Sequence, residues 1–453
     1  MTPPHAPLIT WFGDDFTGSA AVMEVLAFAG IDAVLFSDTP SPALMARFRS
    51  ARAIGIASTA RTHGPDWMDA NLPAPLGYLN ALGAPILHYK ICSTFDSAPA
   101  SGNIGRAIEI GLGITQTKAA PLLTAAPQMR RYQAFGTLFA GSFDGVHRLD
   151  RHPVMAHHPV TPMAEADLLA HLAHQTTLPC ALLNLEAMWT DPEPALTQAL
   201  QAGARILSLD SIDANTEAAA GKLIWDNRAA LGFVAGSQGV EYALVRHWQN
   251  IGLIAPAPSP KSAGAVAQIA AVSGSVSPST ARQIAWAKAN GFEIIRFDAA
   301  RALHSDTEQS DEIATAIKLG VAAARAGQSP LICSATGPND PAVTAFGAAL
   351  ARANITPDLA NETIGTSLGT ILDGILTQTD IRRAVISGGD TSGHGMRALK
   401  LDALKALAPT IAGAALCVGY GDSPHDGLEI ALKGGQMGSE DFFGWIRDGG
   451  GPR

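Results

Sequence analysis

The chain has 453 residues, 47% of them hydrophobic and 16% charged, with a formal net charge of −9. This composition supplies core material for two or three domains and leaves little room for disorder. No Lys/Arg run exceeds two residues, which excludes the basic stripe of a nucleic-acid binder, and no segment approaches the roughly 18 unbroken apolar residues that a membrane span needs. Along the chain, Pro7 to Gly13 reads as a buried strand, Thr17 to Ala29 carries helical apolar spacing, and Asp32 to Ser37 returns as a strand, a βαβ unit of a parallel sheet. Further strands are expected at Ala53 to Ser58, Ile86 to Ile91, Pro121 to Ala125, Cys180 to Leu185, Arg205 to Leu209 and Gly232 to Gly236. Ile254 to Gly264, rich in Pro, Ser, Ala and Gly, reads as a linker. The alternation then restarts with a strand at Gln268 to Ser273, a helix from Ser279 to Asn290 and a strand at Glu293 to Phe297. Strands at Leu331 to Ser334, Ala384 to Ser387 and Ala415 to Gly419 follow. The expected architecture is α/β: two domains with largely parallel sheets flanked by helices, residues 1–255 and 265–453 joined by a linker at 256–264, and an active site in the inter-domain cleft.

The four cysteines, Cys92, Cys180, Cys333 and Cys417, contain no C-x-x-C pair, which argues against a zinc finger or a disulfide framework. Cys180, Cys333 and Cys417 lie in apolar runs and are expected as small buried hydrophobes. Met1 to His5 shows no basic segment ahead of an apolar stretch, so a soluble, cytoplasmic protein without a signal peptide is expected.

Ligands of open α/β sheets bind beyond the carboxyl ends of strands, so residues following strands are the first to weigh. Gly13-Asp14-Asp15-Phe16-Thr17-Gly18 places two carboxylates in a strand-to-helix turn. They suit binding hydroxyls, holding a metal or acting as a base, with Thr17 available as a helix cap; an ordinary N-cap and turn is the plainer alternative. Lys90 ends another strand and runs into Ser93-Thr94-Phe95-Asp96-Ser97, then Gly102-Asn103-Ile104-Gly105 opens a helix, a plausible anion pocket. Arg61, just past Ser58-Thr59, suits a bidentate pair with a substrate carboxylate, as it suits an ordinary surface position. After the linker come three Gly-rich turns: Ser273 to Ser277, Ser387 to Gly393 and Lys433 to Gly438. None fits G-x-x-x-x-G-K-[ST] or a strict G-x-G-x-x-G, which disfavours a Walker ATPase and a nicotinamide dehydrogenase. His147 to His158 matches no compact zinc spacing and reads better as a loop over the site or against another subunit. Gly236-Ser237-Gln238-Gly239 lacks the spacing of a nucleophile elbow.

Taken together, G-D-D-F-T-G-S at Gly13 to Ser19, Lys90 to Ser97 with Gly102 to Gly105, His158-Pro159-Val160-Thr161-Pro162-Met163, Gly236 to Gly239, G-G-D-T-S-G at Gly388 to Gly393, and Lys433 to Phe442 resemble the motifs of the four-carbon acid sugar kinase family. That family includes the 3-oxo-tetronate, threonate and erythronate kinases. The resemblance spans nearly the whole chain. It implies an ATP-dependent kinase acting on the terminal hydroxyl of a sugar acid, with the acid on the N-terminal domain and ATP on the C-terminal one. Carried over, Asp14 and Asp15 would be catalytic, and Arg61, Lys90, Ser93, Thr94, Asp96 and Asn103 would bind the acid. Ser275, Gly388, Gly389, Asp390, Thr391, Gly434 and Gly435 would bind nucleotide, with Mg²⁺ accompanying ATP and its ligands open. Relative to the family pattern, Gly13 replaces Ala, Asp390 replaces Glu, and the Ala98-Pro99-Ala100-Ser101 loop is one residue longer. These departures bear on the substrate, leaving a branched acid such as 3-oxo-isoapionate open. A non-catalytic sugar-acid sensor is the competing class, disfavoured by the three Gly-rich turns. No nucleic-acid or membrane partner is expected, and the oligomeric state, homo-oligomer included, is left open.

Overall fold

The computed structural model describes residues 6–142, 144–158 and 160–453. The chain divides into two compact units, Met1–Pro258 and Ser259–Arg453.

The first unit contains β1 (Ile9–Gly13), β2 (Ala33–Phe36), β3 (Ala53–Ala57), β4 (Leu87–Lys90), β5 (Ala120–Leu123), β6 (Arg131–Ala134), β7 (Thr137–Ser142), β8 (Gly145–Arg148), β9 (Cys180–Leu183), β10 (Ile206–Leu209) and β11 (Phe233–Gly236). Its main sheet is parallel, in the order β2-β3-β1-β4-β11-β5-β10-β9. Strands β1 to β5, β10 and β11 are buried along their whole length, as helices on both faces of a parallel sheet require. From β1 the chain goes out to β2, returns to β3 between the two, and then crosses to β4 on the other side of β1. The strand order therefore reverses between β1 and β4, and such a point opens a crevice at the strands' carboxyl ends. His88 of β4 bonds Glu241 at 2.6 Å and the Gly236 carbonyl at 3.0 Å, tying β4 to β11 and to the helix Gly239–Asn250.

A second, antiparallel sheet of order β6-β7-β8 was not foreseen from the sequence. It is held down by Asp210, at the end of β10, whose carboxylate accepts from the amides of Phe135, Gly136 and Leu185 and from Gln133 Nε2. Cys180 corrects an expectation: it is exposed rather than buried, because β9 is the outermost strand of its sheet within this unit and pairs with β10 alone. Cys333 and Cys417 are buried as expected, and no disulfide forms among the described residues.

The second unit contains β12 (Ala270–Ser273), β13 (Phe292–Arg296), β14 (Ser329–Cys333), β15 (Arg383–Ser387), β16 (Ala403–Ala408), β17 (Leu416–Tyr420) and β18 (Glu429–Lys433). They run in the order β13-β14-β12-β15-β18-β17-β16, parallel from β13 to β18 and antiparallel at β17 and β16. Here too the order reverses, between β12 and β15. Much of the core lies between this sheet and its helices, with Phe442, Phe443 and Ile446 of the terminal helix packed on Ile269, Leu331 and Leu416. Residues 262–266 are irregular and bond along 447–449, with Ala263 N on the Gly449 carbonyl and Val266 N on the Arg447 carbonyl. No helix among the described residues is long and apolar enough to cross a membrane.

Candidate active site

At the reversal of the first unit, β1 ends in Gly13 and the next two residues turn into the helix Phe16–Phe28. Asp15 is its N-cap, accepting from Gly18 N at 3.0 Å in an extended backbone conformation. Thr17, expected as a cap, instead lies inside the helix, because Asp15 already fills that place. Asp14 is buried and held from both sides of its carboxylate by Arg61, with Nε on Oδ2 at 3.2 Å and Nη2 on Oδ1 at 2.6 Å. The same Nη2 reaches Asp15 Oδ1 at 2.6 Å. Lys90, also buried, donates to the Ile91 carbonyl at 2.7 Å.

Gly18 makes this convergence possible. A Cβ there would lie 2.3 Å from Asp15 Oδ1 and 2.7 Å from Lys90 Nζ, so any side chain would displace both charged groups. Burial pushes the Asp14 carboxyl above its ordinary value; Arg61 and Lys90 draw it back, while Asp15 adds to the rise. Burial works against the Arg61 cation, but Asp14 and Asp15 outweigh it and hold the guanidinium well above its usual range.

The rest of the predicted acceptor residues follow β4. Thr94 is buried with its hydroxyl 3.1 Å from Cys92 Sγ, and Ser93 is half-buried beside it. Asp96 accepts from Thr161, whose amide and hydroxyl also meet His158 Nδ1 at 3.1 and 2.8 Å. The structure thus joins the 158–163 stretch to the Lys90 loop, except for Pro159, which lies outside the described residues. Asn103 caps the helix Ile104–Thr115, accepting from Arg106 N at 2.7 Å and donating to the Pro99 carbonyl at 3.0 Å. Both ends of its amide are engaged locally, so it shapes the loop rather than standing open to a ligand.

In the second unit, a cavity of about 370 Å³ sits at the carboxyl ends of β12 and β15. It gathers Ser275, Gly388, Gly389, Thr391 and Gly435 of the predicted nucleotide set. Gly434 lies one residue off the lining; Asp390 is in the helix Gly389–Ala398, its side chain outside those described. Gly274, Gly388 and Gly435 leave no room for a side chain. A Cβ on Gly274 or Gly388 would come within 2.5 or 2.7 Å of Thr391 Oγ1, and one on Gly435 within 2.4 Å of Ser275 Oγ. Gly388 also has φ of 135°, which an L side chain rarely adopts. Backbone amides at the start of the Gly389–Ala398 helix are thereby left bare for an anion. Thr280 Oγ1 donates to the Gly435 carbonyl at 2.9 Å, closing the turn from below.

Beneath this turn lies Lys433, buried, with Nζ on Thr280 Oγ1 at 3.3 Å and on the Gly434 carbonyl at 3.2 Å. Burial lowers its pKa to about 8. Sequence reasoning missed the apolar wall of the cavity, Val343, Phe346 and Ile364, together with Asn361. These residues come from two long helices whose apolar spacing looks like ordinary core, so no local signal singled them out. Such a wall beside polar turns suits a flat heterocycle attached to phosphates. The described residues contain no group of three or more His, Cys, Asp or Glu able to hold a metal.

Comparison with known proteins agrees with this division. Residues 9–244 match the sugar-binding N-terminal domain model and residues 270–443 the nucleotide-binding C-terminal domain model. Such a pair defines a sugar kinase of two-domain type. The chain belongs to the four-carbon acid sugar kinase family. It is 44% identical to the 3-oxo-isoapionate kinase of Paraburkholderia graminis over 449 residues, covering 98% of this chain and 95% of that protein. It is 30% identical to the 3-oxo-tetronate kinase of Pseudomonas fluorescens, covering 96% of each. Its fold matches a solved Salmonella typhimurium protein at 24% identity, with a TM-score of 0.77 over 97% of this chain and 98% of that one. A Haemophilus influenzae structure matches at 21% identity and a TM-score of 0.73, covering 96% and 98%. As a kinase of this family, the chain uses ATP.

Proposed function

We propose that this kinase transfers the γ-phosphoryl group of ATP to the terminal hydroxyl of a branched 3-oxo sugar acid, with 3-oxo-isoapionate as the preferred acceptor. The carrying observation is the 44% identity, over nearly the full length, to a 3-oxo-isoapionate kinase, against 30% to a 3-oxo-tetronate kinase. The lengthened 98–101 loop beside the acceptor motif supports a changed acceptor.

The geometry supports a division of roles between the aspartates. Both oxygens of Asp14 are occupied by Arg61, and its task is to fix that guanidinium. Asp15 is partly exposed, and its Oδ2 has no protein partner among the described residues, so it orients and deprotonates the acceptor hydroxyl. Arg61 retains Nη1 for the substrate. Lys90, with Ser93, Thr94 and Asp96, frames the acid, and residues 1–255 form the acceptor domain.

On the nucleotide side, residues 265–453 hold ATP. The amide of Gly389 at the start of its helix, the hydroxyls of Ser275 and Thr391, and the Gly434-Gly435 turn bind its phosphates, and Phe346 packs against the base. The hydroxyl-rich lining fits Mg²⁺ that arrives on the phosphates, with Ser275 and Thr391 as the protein donors of the cavity and Asp390 beside Thr391 in sequence. When bound there, Mg²⁺ neutralises charge on the transferring group. Most of the rate comes from positioning and charge stabilisation. A coupled ADP-release assay over four-carbon and branched sugar acids, 3-oxo forms included, tests the reading. Highest kcat/KM with 3-oxo-isoapionate supports it; a clear preference for 3-oxo-tetronate would overturn the acceptor assignment.

A further inference from the structure

The acceptor cluster carries no excess of positive charge. With their carboxylates ionised, Asp14, Asp15 and Asp96 more than offset Arg61 and Lys90, so the set offers no net positive charge to an incoming carboxylate. A sugar acid nevertheless carries one negative charge into a protein of net charge −9. A cation outside the cluster must supply the attraction.

Arg131, the first residue of β6, has the required properties. Its Nη1 donates to the carbonyls of Met129, Arg130 and Gly141, the last at 3.1 Å, which fixes the guanidinium in place. Its Nε is buried without any hydrogen-bond partner. Among the described residues it forms no ion pair, whereas Arg61 holds two carboxylates. Burial works against its charge. Its backbone pairs with Ala126, with Ala126 N on the Arg131 carbonyl at 3.0 Å, just past the carboxyl end of β5. β5 and β4 both flank β11, and Cys92 and Ser93 follow β4, so Arg131 stands at the same carboxyl edge of the sheet as the acceptor loop. A half-buried cation left unpaired costs stability unless a ligand completes it. The small antiparallel sheet is rigidly pinned, through Gln133 on Ser208 at 2.8 Å and Asp210, so Arg131 is held in place before any ligand arrives.

We infer that Arg131 is the carboxylate anchor of the acceptor site, binding the acid group of the substrate while Arg61 serves mainly to organise the aspartates. This inference rests on the sugar-acid reading above. It assigns the β6–β8 sheet a purpose: it carries a positive charge to the acceptor loop.

The test is steady-state kinetics of Arg131→Gln and Arg131→Lys with the acid selected by the panel and with its uncharged carboxamide. Arg131→Gln is expected to raise KM for the acid about 10- to 100-fold, the range for a lost charge-assisted hydrogen bond, with KM for ATP unchanged and the carboxamide nearly unaffected. Arg131→Lys, which keeps the charge but loses the fork, should recover part of the loss. An unchanged KM for the acid, or an equal rise for acid and carboxamide, would overturn the inference. If Arg131→Gln fails to fold by thermal unfolding, Arg131→Lys carries the test with the same selective rise for the acid. A wild-type chain that releases ADP with no sugar acid overturns the kinase reading instead; the acid-induced thermal shift, compared between wild type and Arg131→Lys, then still decides the anchor.

Discussion

Arg61 grips Asp14 through two parallel hydrogen bonds, and the same Nη2 that closes one of them also reaches Asp15. One guanidinium therefore sets the spacing of both carboxylates, and the variants at these positions separate by effect. Asp15→Asn is expected to lower kcat by about 10²- to 10⁴-fold, the range for a lost general base, with KM for ATP unchanged. Unchanged turnover in the coupled assay removes Asp15 from the chemistry.

Asp14→Asn should behave differently. It leaves the half-buried Arg61 with Asp15 as its remaining ionised partner, so a loss of stability of about 1–3 kcal/mol accompanies the loss of activity. Chemical denaturation reads the first and single-turnover kinetics the second. A stable Asp14→Asn protein with a purely kinetic defect would assign the base to Asp14.

Gly13 and Ser19 occupy one space: a Cβ on Gly13 would lie 1.7 Å from Ser19 Oγ and 2.8 Å from Ser19 Cβ. Gly13→Ala is expected to destabilise the protein by about 1–3 kcal/mol through overpacking. Ser19→Ala, which removes the nearer atom, should return part of that loss. Additive losses in a double-mutant cycle would show that the two residues do not compete.

Lys433 provides a pH test with opposite signs. Its folded pKa, lowered to about 8 by burial, lies below the unfolded value near 10.4, so between these values the unfolded chain binds more protons. Its contribution to stability therefore rises as pH increases from about 8 to about 10. Over the same interval the ammonium under the Gly434-Gly435 turn is lost, and ATP affinity should fall. Lys433→Met should flatten both trends. Stability and affinity moving together through that interval would remove Lys433 from the nucleotide site.

Gly435→Ala directs a methyl group at Ser275 Oγ, 2.4 Å away. The expected result is a rise in KM for ATP of about tenfold or more, with the acid's KM unaffected, measured by varying each substrate in turn. A rise confined to the acid would show that this turn does not hold nucleotide.

The parallel strands were legible because their apolar runs are short, continuous and bounded by Gly and charged residues, as at Ile9–Gly13 and Ala270–Ser273. Ala403–Ala408 was not legible: its sequence, A-L-K-A-L-A, favours helix, and strand pairing overrides that preference. The β6–β8 sheet was missed for another reason. It is half-exposed and polar, with turns and Arg-rich ends that resemble loop. The charged turn after β1 stood out because two adjacent carboxylates ended an apolar run. Arg131 carried no such marker, since what distinguishes it is a guanidinium without an ion-pair partner among the described residues, visible only in three dimensions.

Both units carry the proposed binding groups where the strand order turns back, once between β1 and β4 and once between β12 and β15. The two specificities are thus written in separate stretches of chain, with separate scaffolds beneath them. Alterations in the loops after β4 or in the small sheet can retune which acid is accepted without touching the residues that grip the phosphates. Exchanging those loops between relatives should transplant acceptor preference as a module, which offers a direct way to build kinases for acids that no natural member uses.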